Sequence, residues 1–300
     1  MVAEAAYAAC LRLARQHYEN FPVASRLLPA YARPHIAAIY AFARTADDFA
    51  DEGDRPEASR LALLDDWRDQ LHAAVAGHPP GDESDRAAIF VALGETIRRF
   101  GLDVSLFEDL LSAFRQDVVV KRYETWEDVL EYCRRSANPI GRLVLRIAEY
   151  HDDRLDVCAD AVCTALQLTN FWQDLEIDWQ RGRLYLPLTL VRACGADERD
   201  LDRRQVSPQW RAVLADAVAR TRASYAAGRP VADGVTGRLR WELRATWLGG
   251  MRVLDRLEHA GYDVFCSRPV LGWRDALPLG WHALAWTPSP AGALAGGAGR

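Results

Sequence analysis

Apolar residues recur along this chain with the period of a helix, and strand-like alternation is scarce. Between 139 and 150, Ile140, Leu143, Val144, Ile147 and Ala148 fall at offsets 0, 3, 4, 7 and 8 and make one stripe. Asn138 is placed to cap that helix, with Pro139 where a first-turn proline is tolerated. Thr125, Trp126, Glu127 and Asp128 resemble a capping box ahead of Val129 and Tyr132. A long segment from about 153 to 178 sets Val157, Ala161, Thr164, Leu168 and Phe171 at similar spacing. Further helices are predicted near 4–18, 34–50, 57–76, 84–100, 105–119, 207–227 and 238–260. Breakers fall between them at Gly53-Asp54, Gly77 to Gly81, Gly182, Gly228 to Pro230 and Gly261. No linker is long enough to part domains. The pattern therefore predicts one all-α domain over 1–286 and a disordered Ala/Gly/Pro-rich tail over 287–300.

Composition narrows the function. Half of the residues are hydrophobic and 26% are charged, ordinary values for a globular protein. A net charge of −5 leaves no basic footprint, so nucleic acid is not an expected partner. The six cysteines form no CxxC pair and read as buried thiols in a reducing compartment, with no zinc site. The first fifteen residues carry Glu4, Arg12 and Arg15 without an apolar run, so a signal peptide is not expected. No stretch of about 18 apolar residues occurs that could span a bilayer. The expected location is the cytoplasm, with peripheral contact at the inner membrane the further option.

Two acidic helix faces carry the candidate chemistry. Tyr40, Arg44, Asp47 and Asp51 are spaced four, three and four and share a face, with Asp48 and Glu52 beside them. Gln167, Asn170, Asp174 and Asp178 are spaced three, four and four. Like charges one turn apart cost an isolated helix a few tenths of a kcal/mol, which points to an offsetting cation. Mg²⁺ fits, because it takes oxygen ligands, keeps waters and is commonly shared with substrate phosphates. A solvated acidic face explains either motif alone about as well. What favours a pocket is that both sets lie within otherwise apolar helices. Arg181, Arg183 and Tyr185 follow the second set closely and can close on diphosphate oxygens.

These residues resemble the squalene/phytoene synthase family. The resemblance rests on Asp47 to Glu52, Gln167 to Asp178, Arg181 to Pro187 and the Tyr132 to Gly141 segment, and extends from about residue 10 to 260 in consistent order. It implies the isoprenoid synthase fold, a helical bundle around a central apolar cavity, with prenyl diphosphate substrates and two or three Mg²⁺ ions. By matching position, Asp47, Asp51, Asp174 and Asp178 would ligate metal, with Asp48 in support. Arg44, Asn170, Arg181, Arg183 and Tyr185 would bind diphosphate, and Tyr40, Tyr132, Gln167 and Asn170 would act at the reacting carbons. Phe21, Phe42, Ala137, Gly141, Phe171, Trp172 and Trp247 would line the cavity. For each aromatic, ordinary helix core is the better single reading.

Departures from the family pattern refine the expectation. Condensing members carry a His-Ser-Lys-Ser-Phe-like stretch where this chain has His17, Tyr18, Glu19, Asn20 and Phe21, and often an arginine where it has Gln173. One diphosphate site is therefore expected. Glu19 to Pro22, Ser136 to Pro139 and Asn170 to Asp174 are similar to the hydroxysqualene-forming branch of bacterial hopanoid routes. That branch implies presqualene diphosphate as substrate, handed over by a presqualene diphosphate synthase, with no NADPH. No dinucleotide-binding glycine motif is present. The runner-up is a condensing synthase. A non-catalytic assembly protein would be expected to lose the aspartates. Val270 to Trp286, with Trp273, Trp281 and Trp286, is expected to pack against the bundle, a bilayer surface being the weaker alternative because basic residues are few.

Overall fold

The computed structural model describes residues 3–16, 27–53, 55–81 and 84–288. Its helices run in chain order as α1 (Ala3–Gln16), α2 (Ala32–Asp51), α3 (Glu57–Val75), α4 (Asp85–Phe100), α5 (Ser105–Val119), α6 (Trp126–Ser136), α7 (Asn138–Ile147) and α8 (Asp153–Gln173). They continue as α9 (Leu175–Gln180), α10 (Leu188–Ala193), α11 (Glu198–Asp202), α12 (Pro208–Gly228), α13 (Val231–Gly234), α14 (Gly237–His259) and α15 (Ala276–Leu284). The only β feature among the described residues is a parallel bridge between Arg122 and Leu184. The all-α class follows. No helix among these residues is long and apolar enough to cross a membrane. The His17–Phe21 stretch, and the tail from 289, lie outside the described residues.

The chain divides into two compact units, residues 1–119 with 139–151, and residues 120–138 with 152–300. In the first, α2 is central and packs on α1, α3, α4 and α5. Phe42 anchors it, stacked on Trp67 at 5.8 Å and meeting Phe90 and Phe107 edge-on. Buried His35 lies between the rings of Tyr7 and Phe100, its Nδ1 2.9 Å from the Thr96 hydroxyl. That hydroxyl donates to the Ala92 carbonyl, so it accepts from His35 Nδ1–H. Burial holds the His35 pKa down to about 4, and the ring is neutral.

In the second unit α8 packs along α12, with α6 and α14 against its other sides. Trp172, fully buried, donates its indole N–H to Thr221 (2.8 Å). Tyr225 on α12 meets the Thr169 hydroxyl at 3.1 Å. Thr169 donates to the Ala165 carbonyl, so the phenol is the donor here, and burial raises its pKa. Two glycines permit these close approaches. A Cβ on Gly228 would stand 2.7 Å from the Cys158 carbonyl oxygen, and one on Gly250 would stand 1.9 Å from the Tyr225 hydroxyl.

Several local expectations are corrected. The 153–178 helix is two helices, broken at Asp174 (φ −102°, ψ 13°). Val157, placed by spacing on the apolar stripe, is 67% exposed. The closure of α12 on Cys158 and Val162 at Gly228 turns the packed face to Ala159, Val162 and Cys163 instead. Asn138 opens α7, and its side chain accepts from Thr164 Oγ1 (2.9 Å). Cys266 is exposed, while Cys10, Cys133 and Cys163 are buried. The Thr125–Asp128 capping box forms as predicted.

The Gly250 contact yields a stability test. Gly250→Ala is expected to cost roughly 1–3 kcal/mol, the usual penalty for overpacking. In a thermal denaturation cycle, Tyr225→Phe in the same chain should recover part of that loss, because it removes the oxygen that a methyl would strike. Additive losses would show that the clash relaxes elsewhere.

Candidate active site

The two acidic stripes fall in different units. In the first unit, α2 ends in the Asp47–Glu52 run because its apolar positions, Ile36, Ile39, Phe42, Ala46 and Phe49, are buried on the far faces. Tyr40, Arg44, Asp47, Asp48 and Asp51 are left half-buried along one side. Arg44 fans across the carboxylates, reaching Asp48 at 2.8 Å, Glu52 at 3.3 Å and Asp47 at 3.4 Å. Arg60 closes the helix end, donating to the carbonyls of Ala50 and Gly53.

Asp47 retains 37% of its side-chain exposure, yet its pKa is pushed up to about 7. Withdrawal from bulk water by the surrounding protein is the largest cause and the Asp51 carboxylate the next, with Asp117 and Asp48 adding to it. Arg44 opposes the rise without cancelling it. A solvent-touched carboxylate can still be crowded by protein on its remaining sides, which reconciles the exposure with the shift. This is a cluster short of positive charge.

In the second unit, Asp174 is held from two directions. Asn170 Nδ2 donates to its Oδ2 at 2.8 Å. The Arg268 guanidinium takes both oxygens, Nη2 meeting Oδ2 at 3.1 Å and Nε meeting Oδ1. Gln173, where a family arginine was expected, donates to the Pro269 carbonyl and ties down the same segment. Asp178 follows one turn on, its amide donating to the Asp174 carbonyl at 2.9 Å. Beyond it Gly182 turns the chain at φ +76°, and Arg122 donates to its carbonyl at 2.6 Å.

Of the two arginines in that turn, Arg181 is exposed and Arg183 buried. Tyr185 lies flat on Phe171, centroids 3.7 Å apart at 7°, with Tyr123 and Tyr132 completing the ring cluster. Gln167 and Asn170 remain half-buried on α8. Ala137, where α6 ends, and Gly141, on α7, are half-buried in different units.

Phe42 and Trp172 are core, as described above. Trp247 donates to the Tyr225 carbonyl (2.8 Å) and meets Trp286 edge-on at 5.3 Å, which makes it part of the α14 packing. Phe21 lies outside the described residues.

Two functional candidates escaped the sequence reading. Asp117 stands on the buried face of α5 beside Leu110 and Phe114, and an acid on an apolar stripe was a visible signal. Arg268 lies in a loop with no periodicity to betray it.

Among the described residues no three His, Cys, Asp or Glu side chains converge as the ligands of one protein-enclosed ion. Mg²⁺ shared with phosphate asks for less, one or two carboxylates with waters and substrate oxygens. The crowding that raises the Asp47 pKa fits such an ion, as does an Asp174 that already draws a cation onto both oxygens.

The squalene/phytoene synthase family pattern matches residues 14–275, through both units. A hydroxysqualene synthase of Zymomonas mobilis is 40% identical over 207 residues, 68% of this chain and 66% of its own length, just under two thirds. A phytoene synthase of Arthrospira platensis is 31% identical over 91% of both chains. The crystal structure of a squalene synthase from Alicyclobacillus acidocaldarius superposes with TM-score 0.79 at 38% identity, over 87% of this chain and 96% of that one. The chain belongs to the squalene/phytoene synthase family, whose enzymes act on prenyl diphosphates.

The raised Asp47 pKa has a consequence for stability. Its folded value, about 7, lies above the ordinary carboxylate value of 3.8, so the folded chain holds a proton the unfolded chain has lost between those limits. Without divalent ions, the melting temperature should fall as pH rises from about 4 to about 7. Asp47→Asn should flatten that slope in differential scanning fluorimetry. An unchanged slope in the variant would place the titration elsewhere.

Proposed function

We propose that this chain is a hydroxysqualene synthase: it ionises presqualene diphosphate with Mg²⁺, and water captures the rearranged cation. The observation that carries the reading is the 40% and 37% identity to hydroxysqualene synthases of Zymomonas mobilis and Rhodopseudomonas palustris. Gln173, hydrogen-bonded to Pro269 where condensing relatives often present an arginine, supports a single diphosphate site.

In this reading Asp47 and Asp51, and Asp174 and Asp178, hold Mg²⁺, with Asp48 keeping Arg44 in place. The metal, when bound, offsets the negative charge that grows on the leaving diphosphate. Arg44, Asn170, Arg181, Arg183, Tyr185 and Arg268 supply donors for diphosphate oxygens. Arg268 must then turn from Asp174 toward the substrate.

The C–O bond to diphosphate breaks with its electron pair, and the cyclopropylcarbinyl cation rearranges to an allylic one. Phe171 and the tyrosine rings offer π faces to that charge. In the second unit, Tyr132, Gln167 and Asn170 are polar groups available to hold one water. Its oxygen forms the new C–O bond and its proton leaves, so the sum is presqualene diphosphate plus water giving hydroxysqualene plus diphosphate. No reductant enters that balance.

The phytoene synthase of Arthrospira platensis, matched over 91% of both chains, favours the second reading, head-to-head condensation of prenyl diphosphates. Product analysis separates the two. With presqualene diphosphate in H₂¹⁸O, the C30 alcohol should gain two mass units and be indifferent to NADPH. A C30 or C40 hydrocarbon from farnesyl or geranylgeranyl diphosphate would establish the second reading instead.

The metal assignment has its own test. Asp47→Ala and Asp174→Ala should each abolish turnover while circular dichroism remains helical, and EDTA should do the same to the parent chain. Activity that persists in EDTA would remove Mg²⁺ from the mechanism.

A further inference from the structure

The last helix of the second unit is apolar on two opposite faces, and only one is covered. α15 packs on α14. Leu279 is half-buried, while Ala283 and Trp286 are buried at 5% and 9% exposure. Trp286 is fixed there by its indole N–H, which donates to Asp233 at 2.9 Å.

Trp273, in the 3₁₀ turn just ahead of α15, is followed by Leu277, Trp281 and Leu284, which lie within an arc of about 60° on the other side of the helix. They are 82%, 85%, 69% and 67% exposed. Val270 and Leu271, just before them, are 48% and 41% exposed. Isolated exposed leucines are ordinary, but a continuous stripe with two tryptophans is not. The segment thus packs on α14 as expected, with one apolar face left exposed.

We infer that this stripe docks the protein on an anionic lipid bilayer, with α15 lying in the plane of the interface. Charge favours that occupant. Residues 237–288 hold seven arginines and five acids, and with Asp174 and Asp233, which pair with Arg268 and Arg244 from outside that range, the region is neutral, against −5 for the whole chain. The one acid beside the stripe, Asp275, is buried and neutralised by Arg256 at 2.7 Å and Arg252 at 3.6 Å. Arg274 remains at the edge of the stripe, its guanidinium 5.4 Å from the Trp273 ring centroid.

Size argues against a second copy of the chain. A nine-residue helix is about 14 Å long and falls well short of the ~800 Å² per partner that a stable interface needs. Indole rings over aliphatic side chains are the chemistry of the lipid–water boundary. The placement also suits a family that acts on prenyl diphosphates, whose hydrocarbon tails partition into membranes. The inference depends on that family membership and not on which reaction the site performs.

The test is flotation of the full chain with vesicles of phosphatidylcholine alone and of phosphatidylcholine with phosphatidylglycerol. The parent chain should float with the vesicles, more strongly with the anionic ones and less so in high salt. Trp273→Ser, Leu277→Ser and Trp281→Ser combined should weaken binding at least about tenfold. These residues are exposed, so circular dichroism and turnover of detergent-dispersed substrate should not change.

Equal flotation of parent and triple variant, or no flotation of the parent, would overturn the inference. So would a lipid-free dimer, seen by light scattering, that the triple variant abolishes, since the stripe would then be a contact between copies. A chain that turns over presqualene diphosphate but never floats would lose the membrane inference while keeping the proposed function.

Discussion

The constraint on which the rest depends is that α2 must be apolar enough to stand at the centre of its unit while carrying three aspartates in its last two turns. Phe42, Phe49 and the alanines between them fasten the helix against Trp67, Phe90 and Phe107. That packing holds the carboxylates side by side along one half-buried flank of the helix. Arg44 and the Arg60 cap relieve part of the crowding, and a raised Asp47 pKa records the remainder. A helix designed only for stability would not keep such a set of charges. Like charges crowded on one flank of a packed helix are the kind of arrangement that functional sites keep.

The second unit solves the same problem differently. Asp174 stands where α8 breaks into α9, and Arg268 and Asn170 satisfy both of its oxygens. The break matters because it turns the helix end while the hydrogen bonds from Asp174 to Asn170 and from Asp178 to Asp174 preserve the four-residue spacing. Around it, three buried or half-buried side-chain pairs tie the helices together: Trp172 with Thr221, Tyr225 with Thr169, Trp286 with Asp233. Such pairs favour one packed arrangement of α8 and α12. A cation drawn to Asp174 and a substrate that draws Arg268 away would act on the same contact.

The family resemblance and the geometry divide the candidate residues into working groups. Asp47, Asp51 and Arg44 are joined by direct contacts or mutual electrostatic effects, and Asn170 and Asp174 by a hydrogen bond. Phe171 and Tyr185 stack face to face, and Tyr132 leans against both at 45° and 47°. Phe42 and Trp172, by contrast, belong to the core, where their rings hold α2 and α8 in place.

What the sequence determined by itself was local and periodic. The 3.6-residue recurrence of apolar positions fixed the class and most helix boundaries, because burial of one face is imposed on each helix separately. Aspartates four residues apart had to share a side, and Thr125 and Asp128 had to cap. The tertiary structure decided what depends on a neighbour remote in sequence. Gly228 and Gly250 read as breakers or neutral positions until α8, α12 and α14 met there at contact distance. Val157 lost its place in the core to the rotation that this contact imposes. Arg268 reached Asp174 across 94 positions of chain, a separation at which spacing carries no information. The bare face of α15 was likewise invisible, since both of its faces are apolar in sequence and only packing on α14 selects the one that remains uncovered.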